Sequence, residues 1–223
     1  RRLLGKAGVP DGARVLEGAC GTGNMTLALA PHYRLTPGDA SSEMLTVAAN
    51  KARQAGLALD FTRQDLQCLA AHRPVDAVLA ACDGVNYLLT EKDLRRFLRS
   101  AFRALRPGGA LAFDLSSLDK LSRLLPRAPQ VMLEEDVAYA WLSRWDKRTR
   151  RLHMELAVFV RRPDGAFDRV VERQVQRAWE RAEIEAALLE AGFEAVRCYG
   201  DLTLRAPGSR ARRLHFLAQK PKE

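Results

Sequence analysis

The sequence predicts an α/β fold, and three observations carry that prediction. Near the start of the chain an apolar strand runs into a glycine-rich turn that opens a helix. The strand after that helix ends on an acid. Length and composition, 223 residues with 47% hydrophobic side chains, suit one α/β domain or such a domain with an insertion.

Val15 and Leu16 follow a turn at Pro10-Asp11-Gly12, and Met25 to Ala30 form a helix-prone stretch, so the order is strand, turn, helix. The turn reads Glu17-Gly18-Ala19-Cys20-Gly21-Thr22-Gly23, and glycine in such a place lets backbone approach a ligand closely. About 16 residues past Gly23, Tyr33 to Leu35 and Thr36-Pro37-Gly38 lead to Asp39, whose carboxylate can accept two ribose hydroxyl protons. A glycine loop followed by a ribose acid marks a Rossmann-like crevice for a nucleoside-bearing cofactor. Spacing argues against a dinucleotide. From Gly21 and Gly23 the third glycine of G-x-G-x-x-G falls on Thr26, and from Gly18 the pattern also fails, which leaves a nicotinamide-dependent oxidoreductase as an alternative of lower rank.

The turn resembles the first motif of class I S-adenosylmethionine-dependent methyltransferases, acid-x-Gly-x-Gly-x-Gly, with Glu17, Ala19, Gly21 and Gly23 at its four named positions. Ala19 departs from the pattern. Its methyl is expected to fit if the residue keeps a negative φ, with Gly18 relieving the crowding. Further segments resemble the family's motifs in order. Asp39-Ala40-Ser41-Ser42-Glu43-Met44-Leu45 matches the second, which implies that Asp39 takes the ribose and Met44 packs near the adenine. Gln64-Asp65-Leu66 matches the third, where the Asp65 carboxylate would receive the adenine amino group and the Leu66 amide a ring nitrogen. Val75 to Ala81 matches strand four, and Leu105-Arg106-Pro107-Gly108-Gly109 leads into strand five through Asp114. The cofactor residues implied by the resemblance are thus Glu17, Gly18, Ala19, Cys20 and Gly21 in the loop, Asp39, Ala40 and Met44 after the second strand, and Asp65, Leu66 and Ala81. Taken singly, Asp39 reads equally well as a helix N-cap, Asp65 as a solvated turn acid and Met44 as a core side chain. The ordered series carries the reading.

Past strand five, Ala138 to Trp145, Leu152 to Val160 and Phe167 to Gln176 alternate in polarity and are separated by turns at Asp146 to Arg150 and Pro163-Asp164-Gly165. They predict an antiparallel insertion at about 134–178, able to form a lid, within a single domain spanning 1–223. Leu152, Met154, Leu156, Val158 and Val160 share a face expected to be buried, and His153, Glu155, Ala157, Phe159 and Arg161 share the other. Arg181 to Glu190 then reads as a helix ended by Ala191-Gly192-Phe193, followed by a strand pair, Ala195 to Tyr199 and Leu214 to Ala218. This pair matches the antiparallel last strand of the family's seven-stranded doubly wound sheet. Cys82 to Leu89, Gln176-Arg177-Ala178-Trp179 and Gly200-Asp201 resemble a bacterial branch of small methyltransferases related to amino-sugar N-methyltransferases.

No run of about 18 apolar residues and no signal segment is present, so no membrane role is expected and the cytoplasm is the default location. Cys20, Cys68, Cys82 and Cys198 form no C-x-x-C pair, and the four histidines are dispersed, so neither disulfide nor metal is expected. The net charge of +9 is spread, with 15 basic and 11 acidic side chains over residues 1–115 (+4) and 21 and 16 over 116–223 (+5). Its clusters, Lys147-Arg148 with Arg150-Arg151 and Arg210 with Arg212-Arg213, read as solvated surface ahead of an RNA patch.

The resemblance implies in-line displacement at a sulfonium methyl by a nitrogen, oxygen or carbon nucleophile of a small-molecule acceptor, with RNA as the alternative partner. Holding the nucleophile in line supplies much of the rate, so no acid or base need be legible. The Asn-Pro-Pro-Tyr motif of many amide and base N-methyltransferases is replaced by Ala81-Cys82-Asp83-Gly84. Asp83 and Tyr87 are the catalytic candidates, Asp83 to orient an amine or take its proton, beside Asn86. Asp83 serves equally as an N-cap, and Tyr87 and Trp179, candidates to line the pocket, read more readily as core side chains. Arg1 is not an initiator methionine, and the family usually carries a further N-terminal helix over the cofactor. Part of the acceptor pocket is therefore expected to lie outside this chain. No oligomeric state follows from these residues.

Overall fold

The computed structural model describes all 223 residues. A first short helix, α1 (Arg2–Lys6), precedes β1 (Arg14–Glu17), whose Val15 and Leu16 are buried on opposite faces of the sheet. The glycine turn leads to α2 (Asn24–Leu29), and β2 (Arg34–Asp39) returns parallel to β1. Ser41 caps α3 (Ser42–Gln54) by accepting from the Met44 N–H, so the N-cap is Ser41 and not Asp39. A two-residue β3 (Thr62–Arg63) and a 3₁₀ turn at Leu66–Cys68 connect to β4 (Val75–Ala80), parallel to β1 on its other side. Then α4 (Glu91–Ala104) opens with a capping box between Thr90 and Asp93 and feeds β5 (Leu105–Ser116). The expected turn at Arg106–Gly109 appears as a bulge in the β4–β5 ladder, between the Val75–Leu105 and Ala77–Ala110 pairings, with Gly108 at φ +72°.

Two short helical turns, Lys120–Leu124 and Leu125–Arg127, lead into a separate antiparallel sheet. It consists of β6 (Gln130–Leu133), β7 (Val137–Asp146), β8 (Arg151–Arg161) and β9 (Phe167–Arg177), in that order. The first of these strands was not expected from the sequence, and it sets the start of the sheet at Gln130. The expected buried face of β8 is only half realised. Leu152 and Met154 are buried with Leu121, Ala178, Trp141 and Trp145, whereas Leu156 and Val158 are half-buried and Val160 is 44% exposed. Exposure rises along the strands toward Val160 and Phe167, where no layer covers this face of the sheet.

The chain re-enters the body through α5 (Arg181–Glu190), β10 (Glu194–Gly200) and β11 (Arg213–Gln219). Inserted between β5 and β10, β11 runs antiparallel to both, and the sheet order is β10-β11-β5-β4-β1-β2-β3. One face packs Leu94, Phe97, Leu98 and Ala101 of α4 and Ile184 and Leu188 of α5 against Leu16, Val78, Leu111, Phe113 and Phe216. The other face packs Leu4 and Leu29 on Val15, Ala77, Ala112 and Leu217. Each fully buried Leu or Phe in these layers contributes about 1.5–3 kcal/mol. The strand order reverses between β1 and β4, and a crevice at their carboxyl ends is where such a sheet binds ligands.

Candidate active site

Gly18 starts the turn after β1. Its N–H donates to Leu79 O at 2.8 Å, and a Cβ there would meet Leu66 Cδ2 at 2.7 Å, so a side chain would require Leu66 to shift. Ala19 differs from expectation. It adopts φ +54°, the left-handed region, and not the negative φ that would have made the methyl easy to accept. Gly18 does not relieve the crowding either. The room comes from Gly84, where a Cβ would lie 2.9 Å from the Ala19 Cβ. Gly21, at φ +54°, faces open space, while a Cβ on Gly23 would press on Ala48 Cβ at 3.0 Å.

Asp39 ties this turn to β2. Its Oδ2 accepts from the Gly21 N–H (2.8 Å) and its Oδ1 from the Ser41 N–H (3.0 Å), leaving further lone pairs on both oxygens. Glu17 is 1% exposed and accepts from Thr26 Oγ1 at 2.7 Å. Burial raises its pKa to about 7, against the opposing effect of the Thr26 bond. Cys20 is pushed up to about 12 by burial, with the negative Glu17 and Asp39 adding to the effect.

These groups border a cavity of about 580 Å³. Glu17, Ala19, Cys20, Gly21 and Met25 line its glycine-loop side; Asp39, Ala40 and Met44 the β2 side; Asp65 and Leu66 a third; Ala81, Cys82, Gly84 and Tyr87 the β4 side. Met44 is 39% exposed, so the core reading does not apply to it. Asp65 caps the turn after β3, its Oδ1 accepting from the Gln67 N–H at 2.7 Å. Of the cofactor residues expected from the sequence, only Gly18 lies behind the lining. Its role is to let Leu66 pack.

The structure separates the two catalytic candidates. Tyr87 borders the cavity and donates from its hydroxyl to Gln174 Oε1 of β9 at 2.6 Å; burial raises its pKa. Asp83 is not in the lining. Its side chain makes no capping bond to the turn that follows, and its carboxylate instead pairs with Arg213 at 2.7 Å. Trp179 is 1% exposed and belongs to the core, under the Arg177 guanidinium at 3.7 Å. Asn86 is buried and bridges elements: Nδ2 donates to Ser116 O and Arg177 O, and Oδ1 accepts from the Ser116 N–H. Glu172 and Gln174 of β9 complete the cavity wall and were missed in the sequence. Their signal was the period-two row Glu172, Gln174, Gln176, which reads as a solvated face until the strand is seen docked over the crevice.

Comparison with known proteins matches these features to a family. A family model described as a methyltransferase domain matches residues 15–109. YqeM of Bacillus subtilis (strain 168), itself named only provisionally as a methyltransferase, is 34% identical over 219 residues, 97% of this chain and 88% of that protein. A solved S-adenosylmethionine-dependent methyltransferase from Clostridium acetobutylicum ATCC 824 superposes with TM-score 0.89 at 26% identity, covering 99% of this chain and 88% of the other. The chain belongs to the S-adenosylmethionine-dependent methyltransferases. The methyltransferase also shares its fold with the sugar N-methyltransferase KedS8 from Streptoalloteichus sp ATCC 53650 (TM-score 0.79, 22% identity, 99% and 84% coverage). Its cofactor is S-adenosylmethionine, and the cavity fits that group. An open Gly21 admits close backbone approach, Asp39 and Asp65 offer acceptors, and Met25, Met44 and Leu66 offer apolar edges. No helix of the methyltransferase is long and apolar enough to cross a membrane.

Proposed function

We propose that this methyltransferase modifies a small, uncharged or cationic acceptor molecule that enters between Tyr87 and β9. One observation carries the reading: in a chain of net charge +9, every charged residue lining the cavity (Glu17, Asp39, Asp65 and Glu172) is an acid, and no Lys or Arg reaches it. The cofactor is itself cationic at sulfur and accounts for part of that charge. Glu172 stands on the insertion, apart from the loops at the strand ends, and is the acid assigned to the acceptor. A polyanion such as RNA would bring phosphates toward these carboxylates. In addition, Arg150 and Arg213, from the two basic clusters, are held in ion pairs with Glu183 and Asp83.

Asp39 would take the ribose hydroxyls, Asp65 and the Leu66 amide the adenine edge, Met44 its face, and the Glu17–Gly21 loop with Ala81 the amino-acid end. Bound there, S-adenosylmethionine supplies a methyl already activated by the sulfonium. The protein's part is to hold an acceptor atom near that methyl and in line, and to exclude water. Tyr87 and Gln174, bonded to each other, orient the acceptor, while the 130–177 sheet serves as its cover within one domain. Calorimetric titration with S-adenosylhomocysteine, with NAD and NADP as controls, tests the cofactor assignment. Screening pooled amines, phenols and total RNA for label from methyl-labelled cofactor then tests the acceptor. Label appearing only in RNA would refute the acceptor reading.

A further inference from the structure

The turn after β4 is the most constrained part of the cavity wall. Cys82 and Asp83 are consecutive non-glycine residues in the left-handed region, at φ +60° and +56°, a conformation that costs about 1–2 kcal/mol per residue. It persists only where the surroundings enforce it. Asp114 of β5, almost fully buried, does so directly: Oδ1 accepts from the Cys82 N–H (2.7 Å) and Oδ2 from the Asp83 N–H (3.3 Å). Arg213 of β11 then bridges the two carboxylates, donating to Asp114 Oδ2 and to Asp83 Oδ1. The Arg213 backbone is itself pinned by Asp201, whose Oδ1 accepts from the Arg212 and Arg213 N–H groups at 2.8 and 3.0 Å.

The same turn touches both the cofactor loop and the insertion. Gly84 makes room for the Ala19 methyl, Tyr87 bonds Gln174, and Gln176 Nε2 reaches Asp83 Oδ2 at 3.4 Å. Three sequence segments, Cys82 to Leu89, Gln176 to Trp179 and Gly200-Asp201, therefore converge on Arg213 and its partner Asp83.

We propose that Arg213 is a positioning residue: by clamping Asp83 to Asp114 it holds the Cys82–Asp83 turn in its left-handed form and so sets the cavity wall formed by Ala81, Cys82, Gly84 and Tyr87. A buried carboxylate that loses its cationic partner is strongly disfavoured, and a guanidinium presents separate, fixed N–H groups to two carboxylates, where an ammonium offers a single point charge. Removing the clamp releases the turn while leaving the sheet paired.

The experiment compares Arg213→Gln and Arg213→Lys with the unmodified chain by amide hydrogen exchange over residues 81–88, S-adenosylhomocysteine affinity and thermal melting. The affinity arm takes the cavity to be the cofactor site, as proposed above; the exchange arm is independent of that reading. In Arg213→Gln, exchange over 81–88 is expected to rise well above that of β4 and β5, and affinity to fall roughly tenfold. Arg213→Lys should recover part of both. Should Arg213→Gln fail to fold, Asp83→Asn, which keeps the Arg213–Asp114 pair, is expected to give the same localised exchange. A variant that melts lower yet retains wild-type exchange over 81–88 and wild-type affinity would overturn the proposal and leave Arg213 a general stabiliser.

Discussion

Ala19 and Gly84 make a pair whose energetics can be worked out from the structure. Ala19 carries a methyl in the left-handed region, and the nearest atom to a Cβ built on Gly84 is that methyl, at 2.9 Å. The next neighbour, Leu66 Cδ1, lies at an ordinary 3.7 Å. Gly84→Ala in the natural background should therefore cost about 1–3 kcal/mol, the range for overpacking a well-filled site. Ala19→Gly relieves the backbone strain and should stabilise by about 1 kcal/mol. In the double variant the clash has no partner, so the cost of Gly84→Ala should nearly vanish and the cycle should show a coupling energy of about 1–3 kcal/mol. For a chain of this length, 1 kcal/mol moves Tm by about 2–4 °C, so calorimetric melting of the four proteins resolves the cycle. Equal destabilisation by Gly84→Ala with Ala or Gly at position 19 would refute the reasoning, since the cost would then come from elsewhere.

Other expectations follow from the same site. Asp39→Ala should weaken S-adenosylhomocysteine binding by about 1–3 kcal/mol through loss of a charge-assisted acceptor; unchanged calorimetric affinity in a folded variant would dismiss the ribose assignment. Glu17, raised by burial to about 7, binds more protons folded than unfolded between its ordinary 4.5 and that value. Its contribution is thus fully present below pH 4.5 and lost as pH rises through 7, roughly 3 kcal/mol in all. Urea unfolding of Glu17→Gln should accordingly lose that slope between pH 5 and 8. Tyr87→Phe removes one half-exposed bond to β9, so Tm should fall by no more than about 3 °C while hydrogen exchange rises around Gln174. Protection at Gln174 equal to wild type would show that this bond does not hold the insertion down.

Legibility in the sequence followed the range of the interactions. The strand-turn-helix at Val15 to Ala30 and the acid Asp39 were readable from spacing along the chain, Asp65 only through its resemblance to a family motif, and the structure brings them to one cavity. The condition set for Ala19, a negative φ, is not met, and its methyl fits because Gly84 makes room far along the chain, where no local rule looks. The strand at Gln130–Leu133 escaped notice because it is short, mostly exposed and lacks the alternation that flags a half-buried edge. Leu156, Val158 and Val160 have the pattern of a buried face, but pattern reports what a strand can cover and not whether anything is there to be covered.

Arg213 shows why charge in sequence is a poor guide to its use. Beside Arg212 and near Arg210 it reads as one more surface cation, and only the antiparallel β5–β11 register, which pairs Arg213 with Ser116 and His215 with Asp114, brings it to the turn after β4. Two left-handed residues in succession cannot be held by their own sequence, because neither Cys82 nor Asp83 prefers that region as glycine does. The restraint has to arrive from other strands, and it does so through one buried carboxylate and one guanidinium. The last strand of the sheet therefore contributes to the cavity without lining it, which links the antiparallel end of the fold to the geometry at its centre.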